Sequence, residues 1–472
     1  MTTATVVGSG PNGLAAAVTL AMAGVEVTVL EMADKVGGGT RTSELTLPGV
    51  LHDDCSAVHP VGAASPFFAS LDLEAHGLTW KHPEIDAVQP LDNGNAGVLH
   101  RSITDTAAGL GVDGGAWQRF FGPLSDRFDD LTTDFFRPLL HMPRHPITLT
   151  KFGLNALAPA SLTARRFRTP EARALFSGVA AHALYPLTRP TTSAVGVMMI
   201  AAGHKYGWPV AEGGSRAISD ALVSVLTDHG GKVETGIRVT RLQQIPPSDI
   251  VMLDLSPTAV ADIAGDALPK RVARPYRRWR YGPALSSSTS PSRTVFRGPT
   301  RVLGAPEPFI SVGPSRRSPR RNATSIEASC RDGRSSCSAS NTWPTTLARR
   351  ATSTRSGPTP MSPTATPATP ARRSSTRSNA SPRGSVNASS RAVRSATQMP
   401  TYNPNYVGGD IVTGSNDPGQ VALRPRVSIN PYWTGIDGVY ICSAATPPGA
   451  GVHGMGGYNA AQAALHTLAK RP

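Results

Sequence analysis

The most constraining feature of the sequence is the order of its first thirty residues. Thr5–Val7 opens a short apolar strand that runs into Gly8-Ser9-Gly10-Pro11-Asn12-Gly13. Leu14–Ala23 is alanine-rich and apolar, as a buried helix requires, and it stops at Gly24, a natural helix terminator. Val25–Leu30 is a second, β-branched strand and ends at Glu31. Strand, glycine turn, helix, strand and acid in that order specify a dinucleotide-binding βαβ unit. Gly8 permits the tight turn, Gly10 lets the backbone approach a pyrophosphate, and Gly13 lets helix and strand pack closely. The helix amino end offers its positive dipole to the phosphates, with Pro11 and Asn12 in that first turn. Glu31 follows Gly8 by 23 residues, close to the roughly 20 expected of an acid that binds ribose hydroxyls. An acid there repels a 2′-phosphate, which favours FAD or NAD over NADP.

A second glycine cluster, Gly37-Gly38-Gly39-Thr40-Arg41-Thr42, allows another close backbone approach. Arg41 offers a fixed cation to a phosphate or flavin oxygen. Near the other end of the chain, Gly438–Cys442 reads as a strand. It leads through Ser443, Gly449, Gly451, Val452, His453, Gly454 and Met455 into a helix over Asn459–Leu468. Strand, glycine-rich loop and helix again form a site for negative charge.

Together these residues resemble the FAD-dependent phytoene desaturase and amine oxidase superfamily, and within it the phytoene dehydrogenase-like branch of the pyridine nucleotide-disulfide oxidoreductase domain-containing protein 2 type. The resemblance covers roughly residues 1–285 and 391–472. It implies an α/β fold: a glutathione-reductase-type, FAD-binding Rossmann domain plus an α+β substrate domain. The implied organisation is FAD domain over 1–65, 206–285 and 431–472, and substrate domain over 66–205 and 391–430. It implies that Gly8, Gly10, Pro11, Asn12, Gly13, Glu31, Gly38, Gly39, Thr40 and Arg41 bind FAD. Val239 meets the adenine end, and Ser443, Gly451, Val452, His453, Gly454 and Met455 wrap the isoalloxazine. A helix dipole there would favour the anionic reduced flavin. The implied activity is oxidation or desaturation of a hydrophobic small molecule. An FAD-dependent amine oxidase and a catalytically compromised flavin-binding remnant are the rival readings.

Between these parts, Asp53–Pro66, Trp117–Phe136 and Glu171–Gly203 are apolar and aromatic, of helical character. Ala194–Ala202 suits core packing better than an oily tunnel. Glu212-Gly213-Gly214-Ser215-Arg216 precedes a helical run, Ala217–Leu226. Val233–Val239 and Ile250–Leu255 read as strands, and Ser256 and Pro257 as the cap and first residue of a helix. The link Arg241–Asp249 is short for the family, as if a strand or hairpin were missing.

Charge isolates one anomalous stretch. Of the net charge of +15, residues Ser286–Ser390 carry +13, with 16 Arg, no Lys and 3 acidic residues. Those 105 residues also hold 24 Ser, 14 Thr and 13 Pro. Such a composition buries too little surface to offset chain entropy. Disorder is the default reading, and an RNA-binding Arg/Ser segment is the functional alternative. A tail rarely interrupts a globular domain, however, and the rest of the chain is near neutral, so nucleic acid is not expected as a partner. The composition fits a GC-rich coding sequence translated in the wrong frame. With one common offset, Ser286–Pro299 can derive from DNA that reads FKLDFAVEDGVPWT, and Ser374–Ser390 from DNA that reads IIDQIERFAPGFRERIV. Family-like text resumes at Gln398–Tyr406.

Cys55, Cys330, Cys337 and Cys442 are too few and scattered for a disulfide framework. The N-terminus lacks a basic n-region, and no apolar run reaches the ~20 residues of a membrane helix. The expected location is cytoplasmic, with peripheral membrane contact left open for an oily substrate. His453 is the one candidate general base, set against a reading as a loop histidine that shapes the flavin edge. His141 and His145 are separated by Pro143, and Asp53-Asp54 and Asp129-Asp130 read as solvated pairs. Cys330 and Cys337 lack zinc spacing. No metal site is expected.

Overall fold

The computed structural model describes residues 1–138, 141–289, 338–340 and 392–470. It is a mixed α/β structure built on a five-stranded parallel sheet. The strands are β1 (Thr3–Val7), β2 (Glu26–Leu30), β3 (Lys232–Glu234), β4 (Ile250–Leu253) and β5 (Val439–Ile441), in the spatial order β5-β4-β1-β2-β3. All four pairings are parallel, and β1 lies in the middle with Val6 opposite both Val29 and Met252. Strands from residues 3, 232 and 439 onward thus share one sheet.

Side chains on a strand alternate between faces, and both faces here are covered, as expected of a parallel sheet. Val6, Val27, Val29, Ile250, Met252 and Tyr440 face one core. Against it lie α1 (Pro11–Met22), α7 (Arg216–Asp228) and α9 (Met455–Leu468). Val7, Leu30, Val251, Leu253, Val439 and Ile441 face the other, under α8 (Pro257–Ala264) and the helix Lys270–Arg277. A separate helical core gathers α2 (Gly114–Asp126), α3 (Phe128–Phe135), α5 (Pro170–Ala180) and α6 (Thr192–Tyr206) around Trp117, Phe121, Phe176 and Trp208. The helix α4 (Pro146–Ala156) lies on the outside of this group, with Phe152 stacked on Phe135. In a separate sheet, the strand Ala284–Thr289 pairs with Ala392–Arg394 and Ser338–Ser340.

Several boundaries differ from the sequence reading. Helix α1 starts at Pro11 rather than Leu14, because proline suits the first helical position. Strand β3 stops at Glu234 instead of reaching Val239. Gly236 takes a φ of +74°, and the chain then follows the segment after β2 through Gly236 N to Ala33 O and Ile237 N to Glu31 O. Helix α9 starts at Met455, four residues before Asn459. Ser256 and Pro257 begin α8 as read, the Ser256 hydroxyl accepting from Ala259 N. Arg241–Asp249 holds a short 3-10 turn, Leu242–Gln244, and no strand. Most of the Arg-rich segment, and with it the wrong-frame reading, lies outside the described residues. Among the described residues no helix is long and apolar enough to cross a membrane, and no His, Cys, Asp and Glu cluster could hold a metal.

Candidate functional site

The carboxyl ends of β1, β2 and β4 open into a cleft of about 1410 Å³. At one end it is walled by Gly8, Ser9, Gly10, Pro11 and Asn12, the turn from β1 into α1. Gly8 has a φ of +99°, which a side chain would strain. Gly13 stands behind the wall: a Cβ there would come 2.1 Å from Gly8 O, so only glycine lets α1 close on the turn. The first turn of α1 holds no acidic residue.

Glu31 lines the cleft at the end of β2 and is buried. One carboxylate oxygen accepts from Ser9 N and Ser9 Oγ (2.9 and 2.6 Å), the other from Ala33 N and Arg41 Nη2 (2.9 and 3.2 Å). Arg41 also lines the cleft, as a cation held in place by its neighbours. Its guanidinium is tied to Glu31, to Lys35 O and to Tyr402 O. Gly38 and Gly39 lie in the wall, whereas Thr40 is buried behind them, its hydroxyl donating to Gly37 O. A Cβ on Gly39 would come 2.5 Å from the Tyr406 hydroxyl.

From the far end of the chain, Ser443, Gly451 and Val452 join the same wall, and so does Val239. His453, Gly454 and Met455 do not. Gly454 caps α9 with a φ of +69° among Ala15, Phe67 and Phe68, and Met455 is buried. His453 is buried beside Phe136, and its Nδ1 accepts the Met455 N–H at 3.0 Å. Burial pushes its pKa down to about 4. That ring lone pair ends a helix, which leaves it unfit for the general-base role; the reading as a structural loop histidine suits it better.

The aspartate pair is also corrected. Asp53 is half-buried and accepts from Thr42 Oγ1 and Ser215 N, and Asp54 is buried and paired with Arg394 at 2.8 Å. Asp129 and Asp130 are solvated, as read. His141, Arg144 and His145 gather around buried Asp134 through ring and backbone N–H groups. Ala194–Ala202 serves both roles: Ala194, Val195, Met198 and Met199 line the cleft, and Val197, Ile200, Ala201 and Ala202 fill the helical core.

Further wall residues carried no sequence signal. Asp254 follows β4 and presses its carboxylate against the glycine turn, accepting from Gly13 N at 3.1 Å. Burial, reinforced by nearby Glu31, lifts its pKa to about 7. His59 is buried, and its ring is pushed down to about 3 by that burial. The Ser215 hydroxyl donates to Ser56 O, so His59 Nε2 donates to Ser215 Oγ, and Nδ1 is a bare acceptor without a partner. Arg424 is buried with neutral oxygen partners, Asn416 Oδ1 and Ala444 O. Tyr406 donates to Cys55 Sγ at 3.4 Å, and burial raises the Cys55 thiol to about 11, which keeps it protonated.

Residues 6–71 match the sequence model of the NAD(P)-binding Rossmann-like domain. A comparison with curated proteins finds no match. Among solved structures, an oxidoreductase from Methanosarcina mazei is 17% identical, over 59% of this chain and 66% of that one, with a TM-score of 0.40. Putrescine oxidase bound to putrescine is 21% identical, over 60% and 64%, with a TM-score of 0.39. Cyclohexylamine oxidase from Brevibacterium oxydans is 18% identical, over 59% and 63%, with a TM-score of 0.39. The chain thus spans just under two thirds of each of these proteins. Likeness at this level says nothing of activity.

Proposed function

We propose that the chain is an FAD-dependent oxidoreductase acting on a hydrophobic small molecule, of the phytoene dehydrogenase-like kind. The observation that carries this is that one cleft is walled by both ends of the chain: the glycine turn and Glu31 at one end, Ser443, Gly451 and Val452 at the other. A nicotinamide dinucleotide accounts for the first group, and a longer flavin dinucleotide accounts for both. The donor set fits. Gly8 and Gly10 bring bare backbone to the cleft for a pyrophosphate, and the first turn of α1 carries no acid, but Asp254 lies against that turn and would oppose the phosphates once ionised; Glu31 would meet ribose hydroxyls by exchanging its bond to Arg41.

In this reading Gly8, Gly10, Pro11 and Asn12 hold the pyrophosphate, Val239 the adenine end and the Ser443–Val452 loop the flavin ring. When bound, FAD supplies a two-electron acceptor. Met198, Met199, Val195 and Leu184 give the substrate an apolar wall and exclude water. His59 stays neutral and keeps its proton on Nε2, toward Ser215. A cytoplasmic site of action and a substrate domain damaged by a frame change over residues 286–390 belong to the same proposal. Resequencing the DNA for residues 280–400 tests the latter: a base change near each end that restores the family-like text supports it.

The cofactor test is spectroscopic. The purified full-length chain is expected to be yellow and to release FAD on denaturation. A chain that takes up NAD or NADP and leaves FAD free sinks the proposal. Bleaching of the bound flavin by apolar substrates but not by amines separates it from an amine oxidase, and bleaching by none marks a remnant.

A further inference from the structure

From a surface that the cofactor cleft does not use, we propose that this protein docks on an anionic lipid bilayer through α4 and its flanking loops, at the mouth of the cleft. Helix α4 has two apolar faces. Its inner face sets Thr148, Phe152 and Ala156 against the helical core. Its outer face carries Ile147, Lys151, Leu154 and, one turn on, Leu157, spaced as neighbours on one side of a helix. Ile147, Leu154 and Leu157 are 69%, 71% and 64% exposed, and Met142 and Leu162, in the segments that flank the helix, are 89% and 55% exposed. Isolated exposed apolar side chains are ordinary, but five within 21 residues form a patch of the kind that marks an interaction surface.

Charge selects the occupant. Between Asp134 and Glu171 the chain has no acidic residue and six cations: Arg137, Arg144, Lys151, Arg165, Arg166 and Arg168. All but Arg137 are exposed. Apolar side chains beside such cations describe an interfacial helix, which sinks its apolar face to the acyl boundary while its cations meet anionic headgroups. A second copy of the chain suits the patch poorly, because a two-fold contact would set these cations against themselves.

The patch is joined to the cleft. Ser161 N donates to Leu187 O, and Thr191 N donates to Leu157 O. Leu187, exposed Arg189 and Thr191 all line the cleft. A bilayer on α4 therefore lies beside the entrance to an apolar-walled cavity, and an oily molecule can enter without crossing water.

The test is flotation of the full-length chain with vesicles of phosphatidylcholine alone and of phosphatidylcholine with phosphatidylserine. Flotation with the anionic vesicles only, weakened by salt, is expected. The net charge of +13 on residues 286–390 would also favour anionic vesicles, so the variants decide. Leu154→Asp with Leu157→Asp is expected to reduce binding roughly tenfold. Lys151→Glu with Arg165→Glu is expected to cost about fivefold per charge, and leaves the apolar side chains in place. Circular dichroism and flavin content, unchanged in both variants, separate a failure of docking from a failure of the fold or of the cofactor reading. No flotation with either lipid, or flotation undiminished in both variants, overturns the proposal. A dimer in sedimentation that Leu154→Asp with Leu157→Asp dissociates overturns it in favour of a second copy.

Discussion

At the scale of the residue, Asp254 decides the charge balance of the glycine turn. Its carboxylate takes the Gly13 N–H at the amino end of α1, where an anionic phosphate would lie. Burial raises its pKa from 3.8 to about 7, so at neutral pH it is partly protonated. Below pH 4 the group is neutral in both folded and unfolded chains. Between about 4 and 7 the folded chain keeps a proton that the unfolded chain has released, so its contribution to stability falls as pH rises and is spent above about 7. Dinucleotide binding is expected to weaken in the same direction, as Asp254 ionises beside the phosphates. Asp254→Asn should flatten this dependence and bind FAD roughly tenfold more tightly at pH 8, as read by fluorescence titration. An Asp254→Asn variant as pH-sensitive as the parent would reject the assignment. Asp254 also shows why part of the site was illegible in the sequence. Gly8, Gly10, Gly13 and Glu31 act through neighbours within one βαβ unit, so their spacing reveals them. Asp254 meets Gly13 across 241 positions, and His59 meets Ser215 across 156. No local pattern encodes such pairs.

At the scale of the element, helix α9 shows how a correct element can carry a misplaced start. Gly454, Gly456 and Gly457 lower helix propensity, so composition places the start at Asn459. The structure starts it at Met455 because Gly454 supplies a positive φ and His453 Nδ1 takes the first N–H. Strand β3 errs the other way: Val233–Val239 has strand composition, but Gly236 turns the chain out of the ladder. His453→Ala leaves the Met455 N–H buried without an acceptor and is expected to cost about 1–3 kcal/mol in denaturant unfolding. The acid limb carries a second readout. The His453 pKa falls from 6.5 unfolded to about 4 folded. Its contribution is therefore complete above pH 6.5 and is lost as pH falls toward 4. The alanine variant should show a shallower loss of stability over that window. Equal slopes in the two proteins would mean that the ring does not cap the helix.

At the scale of the whole molecule, the two ends of the chain depend on each other. Strand β5 completes the sheet against β4, and α9 lies on α1 along small residues. Gly457 is the tightest point: a Cβ there would come 1.8 Å from Asn12 O and 2.9 Å from Ala16 N. Gly457 N also donates to Asn12 Oδ1 at 3.4 Å, and Asn12 is a wall residue of the cleft. An added methyl at 457 has backbone, not a flexible side chain, in its way, so α1 and α9 must separate. Because α1 begins at the glycine turn and α9 begins at the Ser443–Val452 loop, their separation moves both walls of the cleft. Gly457→Ala is thus expected to destabilise the chain by about 1–3 kcal/mol and to lower its flavin content in the same preparation. Gly153→Ala is the control. It lies in α4, where an added Cβ meets nothing within 4 Å, and it should leave flavin unchanged while gaining up to about 1 kcal/mol of helix propensity. Thermal unfolding and the flavin-to-protein absorbance ratio check both variants. If Gly457→Ala melts lower but keeps its flavin, the two walls are independent, and the coupling of the chain ends through α1 and α9 is lost as an explanation of the cleft.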